Sequence, residues 1–349
     1  MIKNIQLSYF RNHVEFSANC DSKFVLIVGP NSSGKTSILE AISMLTPDKG
    51  GMRGAAVEDV LCSFQNIYSG WSVVVMLGDD HISTGFDLAA AKVTRSIMLN
   101  GSRLSKRGEI LRYLRVIWLT PQMDNILVES SLMRRKFFDR ICYNIFPEHA
   151  KNITKYEYYM RSRMKVLEQH YDDVWLSSIE REMSLLSVII IKTRGLVLEK
   201  IKDELSKLGS EYLRPEIELL DNLSSLDEKC IEVELRKNRL LDLKSSRTSF
   251  GPHRVDINVI NSKSRQNIKL CSTSERKSML IALTMSQINA IATDGSKKIL
   301  LLDELLSHFD EKTSEHIIDK LAVIDAQIWI TDTRLPNTAL PNSTTISLS

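Results

Sequence analysis

Hydrophobic and polar positions divide this chain into an alternating front, a helical middle and a second set of apolar runs near the end. Ile2, Ile5 and Leu7 are separated by polar residues and predict a strand with one buried face. Phe24–Val28 is an unbroken apolar run, the pattern of a strand covered on both faces. From Lys35 the period lengthens, and Ile38, Leu39, Ile42 and Leu45 recur at helical spacing. Pro47 with Gly50, Gly51 and Gly54 predicts a loop, and residues 73–77 another strand. From about Val128 to Leu208 the pattern is helical. It predicts one amphipathic helix over residues 134–145 and two long ones over 152–169 and 173–208. Strand patterns return at residues 255–259, 298–302 and 327–331, before a polar tail containing proline.

The order is β-rich, then helical, then β again, with no internal repeat and no glycine-rich linker. This predicts an α/β lobe built from residues 1–125 and 285–349, whose first and last parts share one sheet. Residues 126–284 form a mainly helical second lobe inserted into it. The chain of 349 residues is long enough for a sizeable core without staples. Its 43% hydrophobic and 26% charged residues are ordinary for a globular protein. Cys20, Cys62, Cys142, Cys230 and Cys271 form no CxxC pair, and the seven histidines show no paired spacing. Reduced thiols and no metal site of the zinc type are therefore expected. The N-terminus lacks a long apolar core, and the most apolar helical stretch is broken by Lys192, Thr193 and Arg194. A cytoplasmic protein with no membrane span is expected. The net charge of +3 is too small to argue for a partner by itself.

Two segments carry chemistry. Gly29-Pro30-Asn31-Ser32-Ser33-Gly34-Lys35-Thr36 fits Gly-x-x-x-x-Gly-Lys-(Ser/Thr), with an apolar strand before it and an amphipathic helix after it. Backbone N–H groups of such a loop point at phosphates, and the helix N-terminus adds partial positive charge. Lys35 is placed to reach the β- and γ-phosphates, and the Thr36 hydroxyl to ligate Mg²⁺. Far downstream, Ile299-Leu300-Leu301-Leu302-Asp303-Glu304 is an apolar strand ending in two carboxylates, which is costly unless a cation sits nearby. Asp303 suits the Mg²⁺ site, and Glu304 the general base that polarises the attacking water. The long helical gap between the two segments indicates an inserted lobe.

With these residues in hand, the chain resembles the RecF family and its SMC relatives. The start Leu7-Ser8-Tyr9-Phe10-Arg11-Asn12 looks like theirs, and the phosphate loop and its helix continue the match. The stretch Trp118-Leu119-Thr120-Pro121-Gln122-Met123-Asp124 resembles the family segment with a Pro-Glu or Pro-Gln pair. Arg134-Arg135-Lys136-Phe137-Phe138-Asp139 is similar to its Arg-Arg-x-Phe-Leu-Asp helix. Gly251-Pro252-His253-Arg254-Val255-Asp256 looks like its most specific motif. Leu301-Leu302-Asp303-Glu304 through Ser307-His308-Phe309-Asp310 resembles the second nucleotide motif and the loop that follows. The likeness runs in order from residue 1 to about 334.

The resemblance implies an ABC-type P-loop ATPase head with a helical second lobe and no long coiled coil. It implies ATP and Mg²⁺ as cofactors, with further nucleotide contacts from Arg11, Asn12, Gln122 and Ser272. Two heads would form an ATP-dependent homodimer that closes on DNA and opens on hydrolysis. It further implies a DNA-binding role in recombinational repair and replication restart, linked to the SOS response. The partners would be single-stranded and gapped double-stranded DNA, RecR and RecO, and the task helping to load the recombinase.

The chain departs from the family pattern in two places. The signature reads Ser272-Thr273-Ser274-Glu275-Arg276-Lys277, with Ser274 in place of glycine and Arg276 in place of glutamine. Arg276 and Lys277 could attract phosphate by charge. Ser32 stands where glycine is usual. Residues 329–334 contain no switch histidine, which agrees with the resemblance, since threonine or a small residue is usual there. An ATP-binding DNA scaffold with little hydrolysis is therefore a second reading. A transporter subunit is a third, disfavoured by the missing Leu-Ser-Gly-Gly-Gln signature and the missing histidine. Candidate DNA contacts are four basic sets: Arg103, Lys106, Arg107, Arg112 and Arg115; Arg134, Arg135 and Lys136; Arg161, Arg163 and Lys165; and Arg236, Lys237, Arg239 and Lys244. Tyr156, Tyr158 and Tyr159 fit the core of the helical lobe, with base stacking as the alternative. His253 is expected in a structural or DNA-facing role.

Overall fold

A computed structural model describes residues 1–48, 50–62, 70–87, 95–169, 172–209, 213–221, 223–304, 311–333 and 340–349, with the backbone alone for 311–313. Ser307–Asp310 and Arg334 of the motifs above lie outside the described residues. The chain divides into two compact units, Met1–Met123 with Ile291–Ser349, and Asp124–Ala290.

The first unit opens with strands β1 (Ile2–Phe10), β2 (His13–Asn19) and β3 (Phe24–Val28), helix α1 (Lys35–Ser43), and strands β4 (Gly70–Leu77), β5 (Asp80–Asp87), β6 (Ser96–Leu99), β7 (Ser102–Arg103) and β8 (Leu114–Leu119). Six of these strands form a sheet in the order β2-β1-β4-β5-β6-β7, antiparallel throughout. Ile5 faces Val75 and Leu7 faces Val73 in register. Side chains of β4 alternate strictly between buried and half-buried, as period-two patterning on a one-sided sheet requires.

The chain next builds the second unit: α2 (Ser131–Ile145), α3 (Glu148–Gln169), α4 (Asp173–Lys207), β9 (Pro215–Leu220), α5 (Glu228–Lys237), α6 (Arg239–Ser245), β10 (Asp256–Asn261) and α7 (Thr273–Ala290). It then returns to the first unit as β11 (Lys297–Asp303), α8 (Glu311–Val323), β12 (Gln327–Asp332) and β13 (Ser343–Ser347). Because α7 runs unbroken to Ala290, the second boundary falls there and not at residue 284.

The returning strands join β3 and β8 in a five-stranded, all-parallel sheet of order β13-β3-β12-β11-β8. Phe24, Val25, Leu26 and Ile27 are each at most 2% exposed. Burial of each such side chain contributes roughly 1.5–3 kcal/mol. The first and last parts of the chain thus share this sheet through β3 and β8, whereas β1 and β4 belong to the separate antiparallel one. Their alternating patterns suit a one-sided sheet, and the continuous runs suit the doubly covered one. The polar tail supplies a strand as well. β13 pairs with β3 at the sheet edge, with every second residue half-buried.

In the second unit, α2 is capped by Ser130 and α4 by Asp172, which accepts from the Trp175 N–H at 3.0 Å. Tyr156, Val166, Leu176, Ile179, Met183 and Ile190 anchor the core of α3 and α4, joined by Ile231 and Leu235 of α5. Beside it lies an ionic interior. Arg163, 0% exposed, donates to Glu180 at 2.9 Å and to Asp242 at 2.6 Å, and Arg239 donates to Glu180 at 2.7 Å. Helix α6 is inverted as a result: Arg239 and Asp242 point inward, while Leu240 and Leu241 are 74% and 56% exposed.

The Gly-Pro-His motif ties three helices together. Tyr156 of α3 donates from its hydroxyl to His253 Nδ1 at 2.8 Å, because His253 Nε2 donates to the Thr248 carbonyl at 2.8 Å. Arg194 of α4 donates to the Pro252 carbonyl and grips both carboxylate oxygens of Asp139 on α2. His253 is therefore structural.

Candidate nucleotide-binding site

The carboxyl ends of β3 and β11 flank β12, and this end of a parallel sheet is where such folds bind ligands. The phosphate loop leaves β3 there, and the acidic pair ends β11. A cavity of about 550 Å³ lies at this end, lined by Arg11, Asn12, Ser32, Gly34, Lys35, Thr36 and Glu304 among others.

The loop turns into α1 through Gly34, whose φ of 97° is left-handed. A Cβ there would come within 2.5 Å of His13 Nε2 and 2.6 Å of the Asn12 amide, so glycine is required on two counts. Asn12 and His13 thereby wall the loop. His13 Nε2 bonds the Gly34 carbonyl at 3.2 Å, and burial pushes its pKa down. Ser32 adopts φ 68°, the conformation that the usual glycine takes freely. Helix α1 carries no side-chain cap and no acidic residue in its first turn, which leaves its N–H groups suited to an anion. Lys35, 4% exposed, folds onto its own loop and donates to the Gly29 and Pro30 carbonyls at 2.8 Å each. Asn31 is exposed, and the Ser33 hydroxyl is buried without a partner.

Thr36 donates to Asp303 Oδ1 at 2.9 Å and so joins the loop to the acidic pair. The same oxygen accepts from Thr331 at 2.8 Å, and the Thr331 hydroxyl accepts the Glu304 N–H at 3.0 Å. Glu304 is half-buried with φ 49°, a second strained backbone position at the cavity. Arg11, also left-handed at φ 54°, grips Glu40 through Nε at 2.9 Å and Nη2 at 2.6 Å, and these hydrogen bonds raise its pKa. Glu40 is wholly buried on α1, and Arg53 approaches it at 3.5 Å.

The structure does not bring every expected contact here. Gln122 is exposed and does not line the cavity. Ser272 belongs to the second unit and closes a capping box on α7: Glu275 accepts from its N–H at 2.8 Å, and its hydroxyl accepts from the Glu275 N–H at 3.3 Å. Arg276 donates to Asn125 at 2.5 Å, and the buried Lys277 pairs with Asp124 at 3.3 Å. Both cations expected to attract phosphate are thus engaged by neighbouring side chains. Four residues of the basic sets are also interior. Arg115 bonds Asp294, Arg134 bonds Asp256, and Arg163 and Arg239 lie in the ionic network, because a buried cation requires an anionic partner. Arg103, Lys106, Arg112, Lys136, Arg161, Lys165, Arg236, Lys237 and Lys244 remain exposed. Of the tyrosines, Tyr156 is core and Tyr159 packs against it, while Tyr158 is 60% exposed.

Sequence reasoning overlooked Thr331 and Glu40. The only signal was a polar residue inside an otherwise apolar strand or helix face.

Residues 1–83 match the family model of an AAA ATPase domain. The DNA replication and repair protein RecF of Rickettsia canadensis is 34% identical over 346 residues, covering 96% of this chain and 94% of the relative. RecF of Rickettsia akari matches at the same identity and coverage. Among solved structures, the recombination mediator RecF-ATP in the RecFOR pathway superposes with a TM-score of 0.85 at 24% identity, covering 99% and 95% of the two chains. An Smc head domain from Pyrococcus furiosus does so at 0.52 and 16%, covering 95% and 89%. These likenesses give the fold: an ABC-type ATPase head of mixed α/β architecture with a helical second lobe, and no long coiled coil among the described residues. With one third of its residues shared along nearly its whole length, the chain belongs to the RecF family of DNA replication and repair proteins.

Proposed function

We propose that the chain binds ATP with Mg²⁺ in this cavity, hydrolyses it slowly, and uses the cycle to gate a DNA clamp in recombinational repair. The Thr36–Asp303 hydrogen bond carries the reading, since it unites two nucleotide motifs 267 residues apart in sequence. The residues fit the groups they would hold. The uncapped first turn of α1 and the unpartnered Ser33 hydroxyl suit phosphate oxygens. Lys35 is the cation for the β- and γ-phosphates, and its two carbonyl partners give it a resting place without nucleotide. Thr36 and Asp303 would hold Mg²⁺, whose chemistry is neutralisation of phosphate charge. Glu304 takes the proton of the attacking water. Arg11 and Asn12 line the same cavity and complete the nucleotide contacts.

Family membership supports a set of partners for this reading: single-stranded and gapped DNA, RecR and RecO, and a second copy of the chain joined through ATP. The task is to help load the recombinase, with a link to the SOS response, in the cytoplasm. No described helix is long and apolar enough to cross a membrane.

Helix α7 favours a second reading, an ATP-binding DNA scaffold with little hydrolysis. Ser272 is engaged in its cap, and Arg276 and Lys277 are engaged by Asn125 and Asp124. The deciding experiment is ATP turnover with and without gapped duplex DNA, with Lys35→Ala as control. DNA-stimulated turnover that the substitution abolishes supports the clamp ATPase. ATP binding with turnover no higher than the Lys35→Ala level selects the scaffold.

A further inference from the structure

We infer that Thr331 is a positioning residue for ATP hydrolysis, its single hydroxyl setting both members of the acidic pair. The inference rests on the proposed hydrolytic reading of Glu304. Thr331 is 0% exposed and stands on β12, directly opposite Asp303 of β11 in the parallel register. A hydroxyl has one proton to give and lone pairs to accept with. The proton goes to Asp303 Oδ1 at 2.8 Å, and a lone pair receives the Glu304 N–H at 3.0 Å.

Each bond has a separate consequence. Asp303 Oδ1 also accepts from Thr36, so the Thr331 bond helps fix the rotation that turns this oxygen toward the phosphate loop. The Glu304 bond holds a backbone amide whose residue is left-handed at φ 49°, a conformation that a residue with a side chain adopts only under constraint. Where the backbone of Glu304 is held decides where its carboxylate meets the cavity. Valine has the shape of threonine without either bond, and serine keeps both.

The test compares steady-state ATP turnover of the full chain with that of Thr331→Val, Thr331→Ser and Glu304→Gln, alongside nucleotide binding and thermal melts. In Thr331→Val, kcat should fall by roughly a hundredfold, the scale of a misplaced catalytic group. The KM for ATP should stay near its original value, and Thr331→Ser should recover most of the loss. Thr331→Ala replaces the valine variant if that one does not fold. Unchanged kcat in Thr331→Val, a raised KM with kcat kept, or equal loss in the valine and serine variants would overturn the inference alone. Turnover of the unaltered chain no higher than that of Glu304→Gln would overturn the hydrolytic reading and the inference with it.

Discussion

Gly251 gives the hydroxyl of Tyr156 the space it occupies: a Cβ on Gly251, at φ 137°, would lie 2.2 Å from that oxygen. Glycine is needed at position 251 because α3 delivers Tyr156 to His253 at this point. Gly251→Ala should destabilise the second unit by about 2–3 kcal/mol, from overpacking and a strained backbone together. In a Tyr156→Phe background the clash is gone and only the backbone part remains, so the two substitutions should be non-additive. Urea denaturation of the four combinations reads this directly, and strict additivity would refute it.

Asp242 is one of the two anions that hold Arg163, beside Glu180. It is 0% exposed and also accepts the Ser249 N–H at 2.8 Å. Asp242→Ala leaves the buried Arg163 with a single carboxylate, Glu180, that it shares with Arg239, and should cost about 3–5 kcal/mol. Leu240→Ser, one helix position from the network but exposed, should change stability by less than about 0.5 kcal/mol. Thermal melts of the two variants give the contrast.

His253 makes the second unit acid-sensitive. Burial holds its pKa at about 4, below the ordinary 6.5. Between those values the unfolded chain binds a proton that the folded one does not, so this contribution to stability is present above pH 6.5 and is lost as pH falls toward 4. Replacing His253 with glutamine should flatten the dependence of stability on pH in that window. Asp139, held down at about 2 chiefly by Arg194 against the cost of its burial, contributes at lower pH, as the medium falls below 3.8. Denaturation midpoints measured from pH 7 to 4 separate the two.

Ser32 is left-handed in a loop where glycine bears that conformation without penalty. Ser32→Gly removes a cost of roughly 1–2 kcal/mol from the loop. It should tighten ATP binding several-fold if the strained form is the binding form, as measured by titration calorimetry.

The phosphate loop, the acidic pair and the long helices were legible because each imposes residue types on neighbouring positions. Gly34 needs a left-handed turn, and β3 needs an unbroken apolar run. Other features depend on partners distant in sequence. Arg163 reads as part of a basic run, and nothing nearby announces Glu180 or Asp242. α6 turns Arg239 and Asp242 inward and Leu240 and Leu241 outward, because directional ion pairs and not apolar area set which face is buried. β13 reads as a polar tail, since an edge strand needs no apolar run to pair. Ser272 stands in a signature-like stretch that also spells a capping box, and the local hydrogen bonds satisfy the second meaning.

The order of strands around β3 also fixes an order of events during synthesis. Both of its neighbours, β12 and β13, come from the end of the chain. β3 must therefore wait, with both edges unpaired, until β12 and β13 have been made. The second unit is continuous in sequence and can fold on the ribosome in the meantime. A chain truncated before β12 would leave both edges of the apolar strand β3 unpaired, a template for aggregation.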